Sequence, residues 1–405
     1  MKNGWKVRDL GDLCQVIGGG TPSKDRAEYY SGKIPWATVR DMRYEVLTET
    51  ECKITEEAVE ASATNIIPKG NVVIATRVGL GKVCLLGQDT AINQDLRGIV
   101  PIDPKVLAVR FLFWWLKSIA DTIVAEGTGA TVQGVKLPFV KTLQLPLPSL
   151  PEQQRIVGIL DEAFPSIATA KVNAEKNLQN VRALFEGHLQ SVFTRRGKGW
   201  VEKKLGDESL LEIIDGDRGV NYPNGPDFQD EGYCLFMNTK NVRPDGFVFD
   251  STMFITKKKD GQLRKGKLKR DDVVLTTRGT IGNVGIYDED VPFDNVRINS
   301  GMLIFRANQR TLLPSYLFEL LRSEIVKDQI KKQTTGAAQP QLPIKTLVNF
   351  TIPIPTNLDD QRAVVKKLRA FEPETQRLAS IYERKLAALE ALKKSLLHQA
   401  FIGNL

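Results

Sequence analysis

The feature that most constrains this chain is that it is written twice. "LPLPSLPEQQRIVGIL", residues 145–160, returns as "IPIPTNLDDQRAVVKKL", residues 352–368, and Gln154-Arg155 is echoed by Gln361-Arg362. The offset, 361 − 154 = 207, is about half of the 405 residues. "GWKVRDLGDL" from Gly4 returns as "GWVEKKLGDE" from Gly199, and "VVIATRVGLGKV" from Val72 returns as "VVLTTRGTIGNV" from Val273. Further on, "AIN" before Gln94 parallels "RIN" before Ser300, "FLFWWL" from Phe111 parallels "YLFELL" from Tyr316, and Thr128-Gly129 parallels Thr335-Gly336. The shared order dictates two copies of one unit rather than one large fold.

Within each copy, short β-branched and aromatic runs such as Ile34 to Val39 and Tyr233 to Met237 read as strands, and one stretch reads as helix, about Leu107 to Glu126 and about Pro314 to Lys332. Each globular part is therefore expected to be α+β. After Pro151 and again after Leu358 the chain turns charged and helical for some forty residues. The expected layout is a globular part over 1–150, a long helix over 151–197, a second globular part over 198–356 and a second long helix over 357–405.

The repeated sentence marks the junction. Pro146, Pro148, Pro353 and Pro355 hold the backbone extended and stop a helix from creeping backwards. Ser149 followed by Glu152, and Thr356 followed by Asp359, have capping-box spacing, which satisfies free N–H groups at a helix start. Beyond it, Ile167, Ala170, Ala174, Leu178, Val181, Phe185, Leu189 and Val192 follow at steps of three or four, as do Leu378, Tyr382, Leu386, Leu389, Leu392, Leu396 and Ala400. A narrow apolar seam on a charged helix predicts a coiled-coil partner; the competing arrangement is two helices packed on separate domains. Pro165 and Pro373 predict a kink in each helix. At 1.5 Å per residue, forty residues reach about 60 Å.

Composition narrows the function. A net charge of +8 suits a polyanionic partner. Cys14, Cys52, Cys84 and Cys234 lack C-x-x-C spacing, which points to buried thiols in a reducing compartment, and no apolar run approaches membrane length, so the cytoplasm is expected. The only histidines, His188 and His398, lie on the long helices, too isolated for a metal cluster or a triad. There is no Pro-Pro dipeptide and no Phe-x-Gly-x-Gly loop, so the marks of an amino-methyltransferase are missing. A nuclease motif beginning at Pro226-Asp227 or Pro244-Asp245 finds no acidic-x-Lys partner before Val274. Gly261 to Lys267 nearly spells a phosphate loop, but Leu268 replaces the hydroxyl that would hold magnesium. The basic stretch Lys257 to Arg270 is read equally as a phosphate contact or a solvated hairpin.

The doubled unit, the Trp-x-x-x-x-Leu-Gly opening, the "TRGTIGNV" turn and the Pro-rich junction leading into Gln-Arg resemble the specificity subunit of type I restriction-modification systems, over essentially the whole chain. The resemblance implies two pseudo-repeated target-recognition domains, each reading one half of a split double-stranded DNA site, separated by two long antiparallel helices that form a coiled coil, set the gap and dock two methyltransferase subunits. It also implies a noncatalytic chain without cofactors of its own, with S-adenosylmethionine, ATP and Mg on partner modification and restriction subunits.

Two modules on a spacer suit half-sites about one duplex turn apart. Arg grips phosphate or guanine, and Asn or Gln matches adenine. The loops from Gly18 and Asp215, the Thr-Arg turns and the segments after Ile92 and Ile298 then supply the expected DNA contacts. They are Thr21, Ser23, Lys24, Arg77, Lys82, Asn93, Gln94 and Gln133 in the first copy, and Arg218, Asn221, Tyr222, Arg278, Asn283, Arg297, Asn299, Gln339 and Gln341 in the second. Helix residues expected to face partners or the spacer seam are Gln154, Arg155, Leu178, Phe185, Gln361, Arg362, Leu389 and Leu396. The alternative outside this class is a repeat-built scaffold that joins proteins without recognising DNA.

Overall fold

Strands Val72–Ala75 and Val273–Thr276 are buried at every position, because each lies between two apolar layers rather than on one. The structure, a computed structural model, describes residues 4–128, 134–244, 246–334 and 341–405. It divides into two compact units, Met1–Glu175 with Glu383–Leu405, and Lys176–Tyr382.

In the first unit a five-stranded sheet runs in the order Cys14–Gly18, Leu96–Pro101, Val72–Ala75, Val83–Leu86, Val46–Leu47. Alternation along the strands sends Val72, Ile74, Val83 and Leu85 to one face, where helix Val109–Ser118 covers them with Phe111, Leu112 and Trp115. The same core takes in Ile156, Leu160 and Phe164 of the long helix Leu150–Thr194, and Ala400 and Phe401 of the long helix Leu358–Ile402. The opposite face, with Val73, Ala75, Cys84 and Leu86, packs on Ala37, Ile67 and Ile92 of a four-stranded sheet ordered Cys52–Ile54, Ile34–Ala37, Thr90–Ile92, Asn65–Ile67.

The second unit repeats the plan with smaller main sheets. Its four-stranded sheet is ordered Leu211–Asp215, Met302–Ala307, Val273–Thr276, Val284–Ile286. Helix Pro314–Arg322 covers one face, joined by Leu189 and Phe193 of the first long helix and Val364, Val365 and Leu368 of the second. A three-stranded sheet, Phe254–Ile255, Cys234–Met237, Val296–Ile298, lies against the other face.

Three of the four junction prolines, Pro146, Pro353 and Pro355, lie in strands. Gln144–Leu147 pairs antiparallel with Lys6–Asp9, and Thr351–Pro355 with Trp200–Lys204, so the opening and the closing words of each repeat meet in a two-stranded ladder. Proline is tolerated because each ladder has only edges.

The long helices are antiparallel where they meet. In the first unit Arg155 reaches the Leu405 carbonyl, Lys393 lies over the Phe164 ring, and Lys171 pairs with Glu390, so numbering rises on one helix as it falls on the other. In the second unit His188 packs on Phe371 with ring centroids 4.5 Å apart. Seam residues Ala174, Val181 and Leu189 are buried, and Leu178, Phe185, Leu389 and Leu396 are half-buried. Leu392 departs from the expected seam and faces water, and both helices continue through Pro165 and Pro373.

The junction also corrects the register of the repeat. Buried Gln153 accepts from Ala108 N and donates to the carbonyls of Val106 and Pro148. Buried Gln361 accepts from Leu313 N and donates to those of Thr311 and Pro355. The true counterparts are therefore Gln153 and Gln361 (361 − 153 = 208), not Gln154 and Gln361. One extra residue precedes the second helix. Asn357, rather than Thr356, then takes the capping position through its side chain to Asp359 N, while Thr356 hydroxyl donates to Gly199 O.

Candidate nucleic-acid interface

Antiparallel pairing brings three loops to one end of each large sheet. In the first unit Gly18 faces Arg97 and Leu96 faces Ala75, so the chain after Gly18, before Leu96 and after Ala75 emerges together. In the second, Asp215 faces Leu303 and Met302 faces Thr276, with the same result.

The loops are built from the same bonds. Thr76 N donates to Asp95 O at 2.8 Å, and Thr277 N to Gly301 O at 2.8 Å. Thr76 O receives Val135 N, as Thr277 O receives Leu342 N; Ala75 N reaches Lys82 O, as Thr276 N reaches Asn283 O. Asn93 Oδ1 accepts from Asp95 N, and Asn299 Oδ1 from Gly301 N. Glycine is required at one matching place. A Cβ on Gly19 would stand 2.2 Å from Asn93 O, and one on Gly216 2.3 Å from Asn299 O, so no side chain fits either strand exit.

The side chains on these shared frames differ. In the first unit Arg77, half-exposed, lies 3.6 Å from the Asp95 carboxylate, whose other oxygen accepts from Asn93. Arg97 donates to the carbonyls of Gln94 and Leu96. Burial, and then the nearby charge of Arg77, push its pKa down, while Asp95 opposes them. Two guanidiniums thus share one carboxylate, a local excess of positive charge suited to an anion. Arg97 was not among the residues singled out from sequence. Thr21 hydroxyl bonds Gln94 Oε1, and Ser23, Lys24 and Lys82 are exposed, Lys82 reaching Val39 O at 3.4 Å.

In the second unit Arg218 bridges Asp215 and Ser300 O, fastening one loop to its neighbour. Asn299 is half-buried, Arg278 is half-buried beside exposed Gln341, with which it forms an isolated β-bridge, and exposed Asn221 lies 3.4 Å from Gln262 O. Buried Asp217 accepts from the N–H groups of Gly219, Arg264 and Lys265. Burial alone would raise its carboxyl, but those three donors hold it below the usual carboxylate range.

Several expected contacts prove to be enclosed. Arg297 is buried, bonded to Asp260 Oδ1 at 2.5 Å and to the carbonyls of Asp260, Leu263 and Lys265. Its donors are spent holding helix Lys257–Gln262 to the small sheet. Asn283 is buried and donates to Val242 O; Asn93 is buried against Asp95. Tyr222 packs edge-on against Phe236, closing its own loop. Gln133 and Gln339 lie outside the described residues. The basic stretch divides: Lys259 pairs with Asp227, Lys267 with Asp260 and Arg270 with Asp294, whereas Lys257, Lys258, Arg264 and Lys265 are exposed. On the helices, Gln154, Arg155 and Arg362 are exposed, the arginines paired with Glu152 and Asp359, whereas Gln361 is wholly internal and cannot face a partner.

Among the described residues no group of three or more His, Cys, Asp or Glu could hold a metal ion, and no helix is long and apolar enough to cross a membrane. Cys14, Cys84 and Cys234 are buried, with burial pushing each thiol up to about 12; Cys52, contrary to expectation, is exposed.

Comparison with known proteins follows the same duplication. The family profile described as "Type I restriction modification DNA specificity domain" matches residues 2–178 and again 197–383. The MjaIX type I restriction enzyme specificity subunit of Methanocaldococcus jannaschii is 25% identical over 99% of this chain and 93% of its own length. The EcoR124I/EcoR124II specificity subunit of Escherichia coli is 34% identical over 39% of this chain and 40% of its own length. Among solved structures, a chain from a study of complex assembly and conformational transition of the type I R-M system superposes with a TM-score of 0.80 at 19% identity, covering 100% of this chain and 99% of that one. The HsdS subunit of Thermoanaerobacter tengcongensis superposes with a TM-score of 0.60, also at 19% identity, covering 100% of this chain and 98% of that one.

Proposed function

Because this chain belongs to the family of type I restriction-modification DNA specificity domain proteins, we propose that it is the noncatalytic subunit that gives such a complex its sequence specificity. Each unit reads one half of a bipartite duplex site, and the paired long helices set the spacing and dock methyltransferase subunits. Restriction subunits join the same assembly. S-adenosylmethionine, ATP and Mg reside on those partners, and the complex works in the cytoplasm.

The observation that carries this reading is the strand-end platform built twice on identical backbone bonds and furnished with different side chains. A shared frame fixes how each unit approaches the duplex, and unlike residues on it suit unlike half-sites. Arg77 and Arg97 in one unit, and Arg218, Arg264 and Lys265 in the other, supply positive charge beside that platform for the phosphates.

The test is duplex binding by the chain together with its methyltransferase across a salt series. Affinity should fall linearly on a log–log plot as salt rises, and one sequence should bind far tighter than a scrambled duplex. Absence of binding at low salt would remove the reading; binding without sequence preference would favour a scaffold.

A further inference from the structure

We infer that Val220 reads the C5 methyl group of a thymine in the half-site of the second unit, an inference that rests on the DNA-reading role proposed above. Val220 is fully exposed, at 103% relative accessibility, in the middle of the loop that leaves strand Leu211–Asp215. Lone apolar side chains at protein surfaces are common, so exposure alone says little. The setting says more.

The loop is anchored on both sides of this residue. Before it, Gly216 is wedged against Asn299 O, and buried Asp217 gathers the N–H groups of Gly219, Arg264 and Lys265. After it, Tyr222 is seated on Phe236. Val220 is therefore presented from a fixed base rather than from a slack tip. Beside it lies a concavity of about 290 Å³ bordered by Asp215, Arg218, Arg264 and Lys265. Its three cations outnumber its two acids, half-buried Asp215 and buried Asp217, and suit the phosphate backbone, which would bring base edges to the neighbouring isopropyl group.

An isopropyl group has no donor or acceptor, so the feature of a base edge it can favour is the thymine methyl. Valine is also shorter than the Phe, Leu, Ile and Met side chains that pry base steps apart. Counted from the matching glycines, Gly19 and Gly216, the same position in the first unit is Ser23, which is polar. The two units thus differ there in the property that separates a methyl contact from a hydrogen bond.

The experiment uses the whole complex with its methyltransferase and duplexes in which each thymine of the recognised site is replaced singly by deoxyuridine, which deletes only the methyl. The wild-type complex should lose affinity about fourfold at one thymine of the second unit's half-site, the change expected for one methyl-sized contact. Val220→Ala and Val220→Ser, which alter only an exposed side chain, should abolish that sensitivity while leaving the other half-site unaffected. A half-site without thymine, or variants that retain the wild-type deoxyuridine response, would overturn the assignment of Val220 alone. A wild-type complex indifferent to sequence would overturn the DNA-reading role and this assignment with it.

Discussion

Arg322 donates to Glu372 across 3.0 Å, tying helix Pro314–Arg322 to the long helix Leu358–Ile402 through a guanidinium that also faces Glu319 at 3.3 Å. Phe318 and Phe185 enclose the same guanidinium. One buried cation therefore serves two carboxylates at the place where the second globular part meets its helix.

That arrangement predicts an unusual pH dependence. Burial pushes the Glu319 carboxyl up to about 7, with Arg322 and Arg369 opposing and Glu372 reinforcing the rise. Because the folded pKa lies above the unfolded value, the native state binds the proton more tightly, and this group's contribution to stability falls as pH rises from about 4.5 to about 7. Glu319→Gln should stabilise the protein by roughly 2–3 kcal/mol at pH 8 and by almost nothing at pH 4. Denaturant titrations at the two pH values measure this; equal effects at both would refute it.

Gln153→Ala and Gln361→Ala should each cost about 2–4 kcal/mol, since each removes three buried hydrogen bonds and leaves backbone groups without partners. Thermal unfolding should show a loss far larger than that of exposed Gln154→Ala. Similar small losses for all three would return the repeat to its sequence-derived register.

Arg278→Ala should lower duplex affinity roughly tenfold while leaving the melting temperature nearly unchanged, as expected if this half-buried side chain serves a base or phosphate contact rather than its turn. If the contact is to phosphate, the salt slope should also drop by about one. Unchanged affinity together with reduced stability would make Arg278 a structural residue of its turn.

Inserting seven residues into each long helix, near Glu175 and Glu383, adds two turns, or about 10.5 Å. The nonspecific gap in the recognised site should widen by about three base pairs, at 3.4 Å per pair, with both half-sites retained. An unaltered gap in a folded, active complex would show that the helices do not measure it.

Much of the architecture could be read in advance because duplication leaves the same words in the same order, and because two buried faces give strands such as Val72–Ala75 an unbroken apolar run. What escaped was tertiary. The one-residue slip at the second helix hides in the sequence because Gln153 and Gln154 look alike; the carbonyls that buried Gln153 reaches tell it apart from exposed Gln154. Arg297 looked like a DNA contact because nothing in "RIN" reveals that Asp260, 37 positions away, folds onto it. Arg97 was overlooked for the converse reason: Asp95 lies two residues before it, but only strand pairing, not proximity in sequence, brings it near Arg77.

The central claim, two recognition units reading one split site, is met most directly by mapping methylated bases across a genome carrying this chain and its methyltransferase. The account predicts one bipartite motif, two unlike half-sites at a fixed gap, methylated at every occurrence and lost when the chain is removed. A contiguous motif, or a methylation pattern unchanged without the chain, would contradict it.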